Sequence, residues 1–539
     1  MNTTSTPMTN YRWMICAMLF FATTINYMDR QVLSLTWKDF IAEEFHWTNT
    51  HYGYITMFFS GFYALCMLFA GRFVDWLDTK KGFLWAIGIW SLGACMHAFC
   101  GIATSGIVLG QWAVSFEGAK EALQHFDNAG KIINVSVTLF IIARAVLALG
   151  EAGNFPAAIK ATAEYFPKKD RGFATSIFNA GAQIGALLAP LTIPLIAKHY
   201  GWEMSFIIIG VLGFVWMGFW VFVYKKPDQH PKVNAAELAY INQDEESHNP
   251  AEEAVEQAQH TKKLSFADCF KFKQTWAFAL GKFMTDGVWW FYLFWVPAYL
   301  SSVYNMPSSD PKAQIAIFAL YGISMLSLIG GWLPTYFVDK KGMNPYAGRM
   351  RAMLIFAFFP LLALLAQPFG HISYWIPIII IGIAGAAHQA WSANIFSTIG
   401  DMFPKSAIAT VTGIGGMAGG LGSMLINLGS GKLFDFTQKS WSTVNGQSLL
   451  EKYPQLQNPE TAKAFLDEQS IALQQYMPEG MAHINSVEDF MKVLTQQGEV
   501  VVNGINTGYM IIFSICAVAY LLGWIIMKVL VPKYKPIKL

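Results

Sequence analysis

Long apolar runs separated by short polar ones dominate the chain. A membrane-spanning helix needs roughly 20 predominantly apolar residues. On that measure the pattern predicts spans near 12–35, 51–74, 83–102, 136–158, 172–197 and 204–224. A stretch rich in Glu, Gln, Asn and Lys follows, and six further spans fit near 275–301, 313–337, 348–367, 373–399, 406–431 and 506–531. The expectation is an all-α membrane protein of twelve transmembrane helices in two six-helix bundles, 1–224 and 274–539, joined by a polar linker at 225–273. Two polar segments, about 103–135 and about 435–504, interrupt the pattern and hold helix-favouring stretches such as "FEGAKEALQHF". They are expected to cap the outer surface. The first apolar run extends from Trp13 to about Leu35, too long for a signal sequence and without a small-residue cleavage site, so it is expected to stay as the first helix.

Basic residues alternate between loops. Lys80 and Lys81, Lys168, Lys169 and Arg171, Lys340, Lys341, Arg349 and Arg351, and Lys405 fall on one set, and the intervening loops are poorer in Lys and Arg. The positive-inside rule places the rich set, the linker and both termini in the cytoplasm, and an even number of spans agrees. The halves also repeat. "GRFVDWLDTKKG" (71–82) and "YFVDKKG" (336–342) each follow the second span of a half, and "YFPKKDRG" (165–172) and "MFPKSA" (402–407) each follow the fourth. Two matched pairs in the same order point to one plan used twice.

Composition supports the membrane assignment. The 539 residues are 54% hydrophobic and 13% charged, where a soluble protein carries about 25% charged residues. The net charge of +2 comes with no basic cluster, which argues against nucleic acid. Five of the six cysteines sit in apolar runs and Cys269 in a polar one, with no spacing for a disulfide framework or a zinc site. No cofactor is expected. Lipid and a small solute are the expected partners, and the chain is expected to be monomeric.

Against this background the polar residues inside the spans stand out, because a charge at the centre of a spanning helix costs roughly 2.5–3.5 kcal/mol. "INYMDR" puts Asn26, Tyr27, Asp29 and Arg30 in the first span, and "ARAVLALGEAG" puts Arg144 and Glu151 in the fourth. "GKFMTDGVWWFY" puts Lys282, Asp286, Trp289 and Tyr292 in the seventh, and "AAHQAWSANIF" puts His388, Gln389, Trp391, Ser392 and Asn394 in the tenth. Tyr27 and Arg30 are three apart, and Arg144 and Glu151 are close to two turns apart, so each pair shares a helix face. Such faces suit a wet central cavity. Fixed arginines there suit a carboxylate, which their planar forks hold in two-point contact. Tyr63, Trp289, Tyr292 and Trp391 suit the apolar face of a sugar ring, and Gln183, Gln389 and Asn394 suit its hydroxyls. Asp29 and Glu151 are candidate proton carriers, since burial and a nearby Arg act on a carboxyl in opposite directions. Structural readings stand beside these: Asp29–Arg30 and Arg144–Glu151 as packing ion pairs, Lys282 with Asp286 as a pair of its own, and His388 as a neutral hydrogen-bonded side chain. At the cytoplasmic end of the second span Arg72, Asp75, Lys80 and Lys81 serve either topology or a gating contact. The glycines of "GIGGMAGGLGSM" (413–424) let helices approach closely in lipid.

These motifs resemble the major facilitator superfamily. "GRFVDWLDTKKG" looks like its loop signature, departing at Trp76 and Asp78. "NYMDR", "RAVLALGEAGNFPAAIKATAEYFPKKDRG" and "HQAWSANIFSTIGDMFPKSAIATVTGIGGMAGG" are similar to the anion:cation symporter family, and "FMTDGVWWFYLFWVPAYL" to its bacterial hexuronate transporters. The resemblance covers nearly all the spans and neither outer insertion. It implies proton-coupled uptake of glucuronate or galacturonate through an inner membrane, by two bundles rocking about a midplane site. It further implies that Arg30 binds the carboxylate beside Tyr27, that Glu151 and Asp29 carry protons, that Arg144 holds Glu151 ionised, and that Gln183 and Trp391 touch the sugar. Another small organic anion, such as an aldonate or aldarate, or a transporter-like sugar-acid sensor are the competing expectations; an enzyme is not expected.

Overall fold

Backbone groups in hydrocarbon find no water, so a long apolar run must satisfy its own hydrogen bonds as a helix. The computed structural model of the protein describes residues 7–110, 112–243, 266–327, 332–403, 405–439, 442–445, 499–502 and 504–537. In the first half the spans are Tyr11–Thr36, Asn49–Leu77, Thr79–Ala98 continued by Cys100–Leu109, Ala129–Glu151 continued by Asn154–Tyr165, Lys168–Tyr200 and Trp202–Val223. In the second they are Lys273–Tyr304, Pro311–Ser324 continued by Trp332–Lys341, Pro345–Phe358 continued by Ala363–Gly370, Trp375–Met402, Lys405–Lys439 and Ile505–Leu530. Two groups of six give the twelve-helix, two-bundle architecture that the hydropathy pattern predicts.

Several spans are broken where the pattern suggests a continuous helix. The third bends by 52° at Phe99. The fourth opens at Ala152–Gly153, immediately after Glu151. Pro156 explains the break: its ring has no N–H to give to the Ala152 carbonyl four residues back and collides with it. A tighter turn at Phe359–Leu362 divides the ninth span, with Pro360 inside it.

The segments between spans are partly ordered. The insertion near 103–135 holds the tail of the third span and a short helix, Phe116–Gln124, started by Ser115, whose hydroxyl accepts from the Gly118 N–H at 3.0 Å. The eleventh span continues to Lys439, past the expected start of the second insertion at 435. The insertion is then bracketed by an antiparallel strand pair, Ser442–Asn445 with Glu499–Val502; 446–498 lie outside the described residues. In the linker, helix Ala235–Asn242 packs under the start of the first span. The buried Glu237 carboxylate there accepts from Arg12 at 3.1 Å, Thr9 Oγ1 at 2.6 Å and the Tyr11 N–H at 3.0 Å. This face of the molecule is called the linker face below.

Small residues set the helix spacing that positions the site. A methyl group at Gly181 or Gly185 of the fifth span would run into the Phe20 or Thr24 carbonyl of the first. The two backbones therefore touch, and the first span is held with Tyr27 against Gly185. Gly150 likewise lies against the backbone of Ala86 and Trp90 in the third span, which fixes the neighbouring Glu151. Between halves, Gly53 and Gly61 of the second span meet Asn427, Gly431 and Met424 of the eleventh.

The halves are locked together at the face opposite the linker. The Asp435 carboxylate at the end of the eleventh span accepts from the backbone N–H groups of Asn49 and Thr50 at 3.0 and 2.7 Å, and from Asn49 Nδ2 at 3.0 Å. Those N–H groups open the second span, where a helix presents unsatisfied donors and positive dipole. Asp39 accepts from the Ser308 N–H at 2.7 Å and from Ser301 Oγ at 2.5 Å. Beneath these polar contacts Trp37 stacks on Tyr52 with centroids 4.1 Å apart, and Trp295 packs edge-on to both. The Tyr52 hydroxyl donates to the Phe294 carbonyl at 3.0 Å.

Candidate functional site

Midway between the faces, where the two bundles meet, lies a cavity of about 240 Å³. Its walls come from the first and second spans on one side and the seventh, tenth and eleventh on the other. The charged residues on the walls are Arg30, Lys282 and Asp286, which leaves one net positive charge with His388 neutral.

Arg30 dominates the first-half wall. A three-residue spacing, close to one turn, puts Tyr27 and Arg30 on one face, and the guanidinium lies among three rings: Tyr27 at 5.1 Å, Tyr63 at 4.8 Å and Trp290 at 5.1 Å from the ring centroids. Aromatic faces attract a cation electrostatically and exclude water from it. Behind it, Arg30 Nε and Nη2 donate to Glu151 Oε2 at 3.0 and 2.7 Å. Nη1 takes no part in that bridge. Glu151 itself is fully buried and does not reach the cavity wall.

The bridge corrects one expectation. Arg144 and Glu151 share a helix face, but the ion pair joins Glu151 to Arg30, from a different helix. The Arg144 guanidinium lies over the Phe59 ring at 5.1 Å, and its buried Nη1 has no hydrogen-bond partner among the described residues. Asp29 is not paired with its neighbour Arg30 either. It is 1% exposed, and neither carboxylate oxygen has a hydrogen-bond partner among the described residues. The side-chain amides of Asn26 and Asn154 are buried in the same condition. Buried polar atoms normally find a partner, and these three side chains have none among the described residues.

The second-half wall carries a second ion pair. Lys282 Nζ and Asp286 Oδ2 are 2.7 Å apart, one turn along the seventh span, and the ammonium sits 4.1 Å from the Phe396 ring centroid. Trp289 stacks flat on His388, with centroids 5.4 Å apart and planes 2° from parallel. His388 Nδ1 is 2.7 Å from the Tyr520 hydroxyl. Gln389 and Ser392 complete the polar lining.

The remaining sequence candidates fall elsewhere in this conformation. Trp391 is fully buried against Tyr520 in the second bundle and is not on the wall. It precedes Ser392 by one residue, about 100° around the helix, so His388, Gln389, Ser392 and Phe396 share the cavity face without it. Tyr292 is buried in that bundle for the same reason, while Trp289, Trp290 and Leu293 line the cavity. Arg144, Gln183 and Asn394 are also away from the wall. At the linker face Arg72 and Lys81 are exposed, Lys80 Nζ donates to the Val221 carbonyl at 2.7 Å, and Asp78 lies 3.8 Å from Lys226. The Asp75 side chain is outside the described ones. The contacts that close this conformation therefore involve Asp39, Tyr52 and Asp435 at the opposite face. Sequence reasoning missed all three, along with Trp290; an Asp in "LFDFTQK" at the end of an apolar run was the one available signal.

Two helical bundles meeting around a polar cavity with one net positive charge on its walls have the build of a membrane carrier. Among the described residues no cluster of His, Cys, Asp and Glu could hold a metal ion. Residues 19–426 match the Major Facilitator Superfamily, and the chain belongs to that family. It is 28% identical over 431 residues to a hexuronate transporter of Escherichia coli, covering 79% of this chain and 88% of that one. It is 27% identical over 341 residues to a galacturonate transporter of Dickeya chrysanthemi, covering 63% and 86%. A probable galactarate/D-glucarate transporter of Escherichia coli is 24% identical over 428 residues, covering 78% and 88%. Among solved structures, a bacterial homologue of the human lysosomal transporter Spinster superposes with a TM-score of 0.62 at 18% identity over 99% of this chain and all of that one. A D-xylose–proton symporter does so at 0.55 and 15% identity over 79% and 90%. These likenesses establish the fold.

Proposed function

We propose that the protein carries a monoanionic sugar acid, a hexuronate such as glucuronate or galacturonate, together with a proton into the cell across an inner membrane. The observation that carries this reading is Arg30: a permanent cation on the cavity wall, caged by three rings and braced by Glu151. The names of the relatives support the sugar-acid class. The basic loops support a cytoplasmic linker face, so the locked face is the outer one.

Substrate and proton are linked through the bridge. Glu151 spends its one bonded oxygen on Arg30. A substrate carboxylate that draws the guanidinium toward the cavity leaves Glu151 unpaired in a fully buried place, and an unpaired buried charge is costly. A proton on Glu151 removes that cost. Asp29, buried beside the bridge with both oxygens unpartnered, is the second candidate to hold a proton. Binding then shifts the balance between outward- and inward-open forms only as far as substrate prefers one of them.

The experiment is uptake of labelled galacturonate and glucuronate into vesicles with an imposed pH gradient, with and without sodium. The expected result is accumulation driven by the pH gradient and indifferent to sodium, lost in Arg30→Ala protein that remains folded in the membrane. Normal uptake by that variant would remove Arg30 from the mechanism.

A further inference from the structure

Two ion pairs reach the cavity, the first through Arg30 alone, and the proposed function uses that one. The second, Lys282–Asp286, has features that a surface helix pair lacks. Its side chains are 6% and 15% exposed, yet both line the cavity, opposite Arg30. Helix neighbours four apart gain little by pairing on a wet surface, and taking two charges out of water in a spanning helix is expensive. The place is also built for it. Gly419 of the eleventh span stands where any side chain would overlap the Asp286 carboxylate. The glycine-rich run thus seats this carboxylate as well as packing helices.

Resting on the proposed carriage of a sugar acid, we infer that Lys282–Asp286 reads the end of the substrate remote from its carboxylate, and that Asp286 there rejects a second carboxylate. An ammonium and a carboxylate side by side give fixed donors next to a fixed acceptor. Neighbouring hydroxyls, each both donor and acceptor, satisfy the two together. A carboxylate in that position would gain Lys282 but face Asp286 at close range, and like charges in a desolvated site repel strongly. Arg30 supplies one anion-binding position, and the Lys282–Asp286 pair is neutral as a unit. The wall charge of one net positive matches a monocarboxylate, and specificity is gained by penalising the wrong ligand as much as by holding the right one.

Galacturonate and galactarate test this, since they differ in the oxidation of one terminal carbon. Unlabelled acids compete with labelled galacturonate for uptake into proteoliposomes. In the unaltered protein galacturonate should compete at least tenfold better than galactarate; equal competition overturns the inference while leaving anion carriage intact. In Asp286→Asn, which keeps the shape and frees the Lys282 charge, the ratio should move toward galactarate by tenfold or more. In the Lys282→Gln/Asp286→Asn double variant, which has no charge to offer, that gain should vanish. A ratio unmoved in Asp286→Asn assigns the pair to packing alone and overturns the inference, and the unaltered protein's ratio decides the matter if the variants do not fold. If the unaltered protein takes up no sugar acid of any kind, the proposed function fails, and this inference with it.

Discussion

Asp435→Asn tests what holds the face opposite the linker shut. The Asp435 carboxylate joins the halves by three bonds, to the N–H groups of Asn49 and Thr50 and to Asn49 Nδ2. A hydrogen bond to a charged group is worth about 1.5–3 kcal/mol and a neutral one about 0.5–1.5 kcal/mol. Asparagine keeps one acceptor oxygen for Asn49 but presents an NH₂ to the Thr50 N–H, so one charged bond is lost and two become neutral. The gross loss is about 3–5 kcal/mol. Asp435 is only half-buried, and water recovers part of that loss, leaving about 2–3 kcal/mol. At 1.4 kcal/mol per factor of ten, the closed-to-open ratio at the face opposite the linker should fall by about 30- to 150-fold. Spin labels near the start of the second span and the end of the eleventh, read as distance distributions in nanodiscs, measure that ratio. A distribution identical to that of the unaltered protein would refute the assignment of Asp435 as a latch, and with it the claim that bonds to the start of the second span hold this face.

Other outcomes follow from the same structure. Glu151→Gln should abolish accumulation against a gradient and spare exchange of substrate between two equal pools; accumulation that persists would clear Glu151 of coupling. Gly419→Ala should cut uptake tenfold or more by displacing Asp286, while Gly429→Ala, on the same helix with open space around its added methyl, should leave uptake unchanged. Equal activity of the two variants would contradict the seating of Asp286. Burial pushes Glu44, between the first two spans, up to about 7 from its ordinary 4.5, against the lowering effect of the Trp202 indole that donates to it at 2.8 Å. The folded state then holds this proton more tightly than the unfolded one, so Glu44 contributes fully below pH 4.5 and loses its contribution as pH rises to about 7. The loss is about 3 kcal/mol. Glu44→Gln should flatten the fall in melting temperature across that window, and an unchanged slope in that variant would exclude Glu44 as its source.

Local rules carry the sequence reading a long way and then stop. Nine helices among the described residues are long and apolar enough to span, and a bent pair makes a tenth. The first and seventh spans fail the same test, and these are the helices that bear Asp29, Arg30, Lys282 and Asp286. Their polar residues lower the average over the helix, although the apolar runs around them still predict a span, and those same residues mark them as functional. Tyr27 and Arg30 were legible as a pair because a three-residue spacing fixes a shared face whatever the surroundings. Trp391 was misplaced because a face chosen by residue type is not yet a face chosen by packing. The partners in the Arg30–Glu151 bridge and in the Asp435 latch were out of reach, even though the Asp in "LFDFTQK" itself could be seen. Each joins helices distant along the chain, and no periodicity within one helix states which neighbour it will meet.

The Arg30–Glu151 bridge also bears on how the protein is made. The partners are 121 positions apart in the chain. The span Tyr11–Thr36 therefore enters the bilayer with a guanidinium whose partner carboxylate at Glu151 has yet to be synthesised, at a cost of about 2.5–3.5 kcal/mol. Stable residence of that helix has to wait for the span that carries Glu151, which makes the stretch from Tyr11 to Glu151 a single unit of biogenesis.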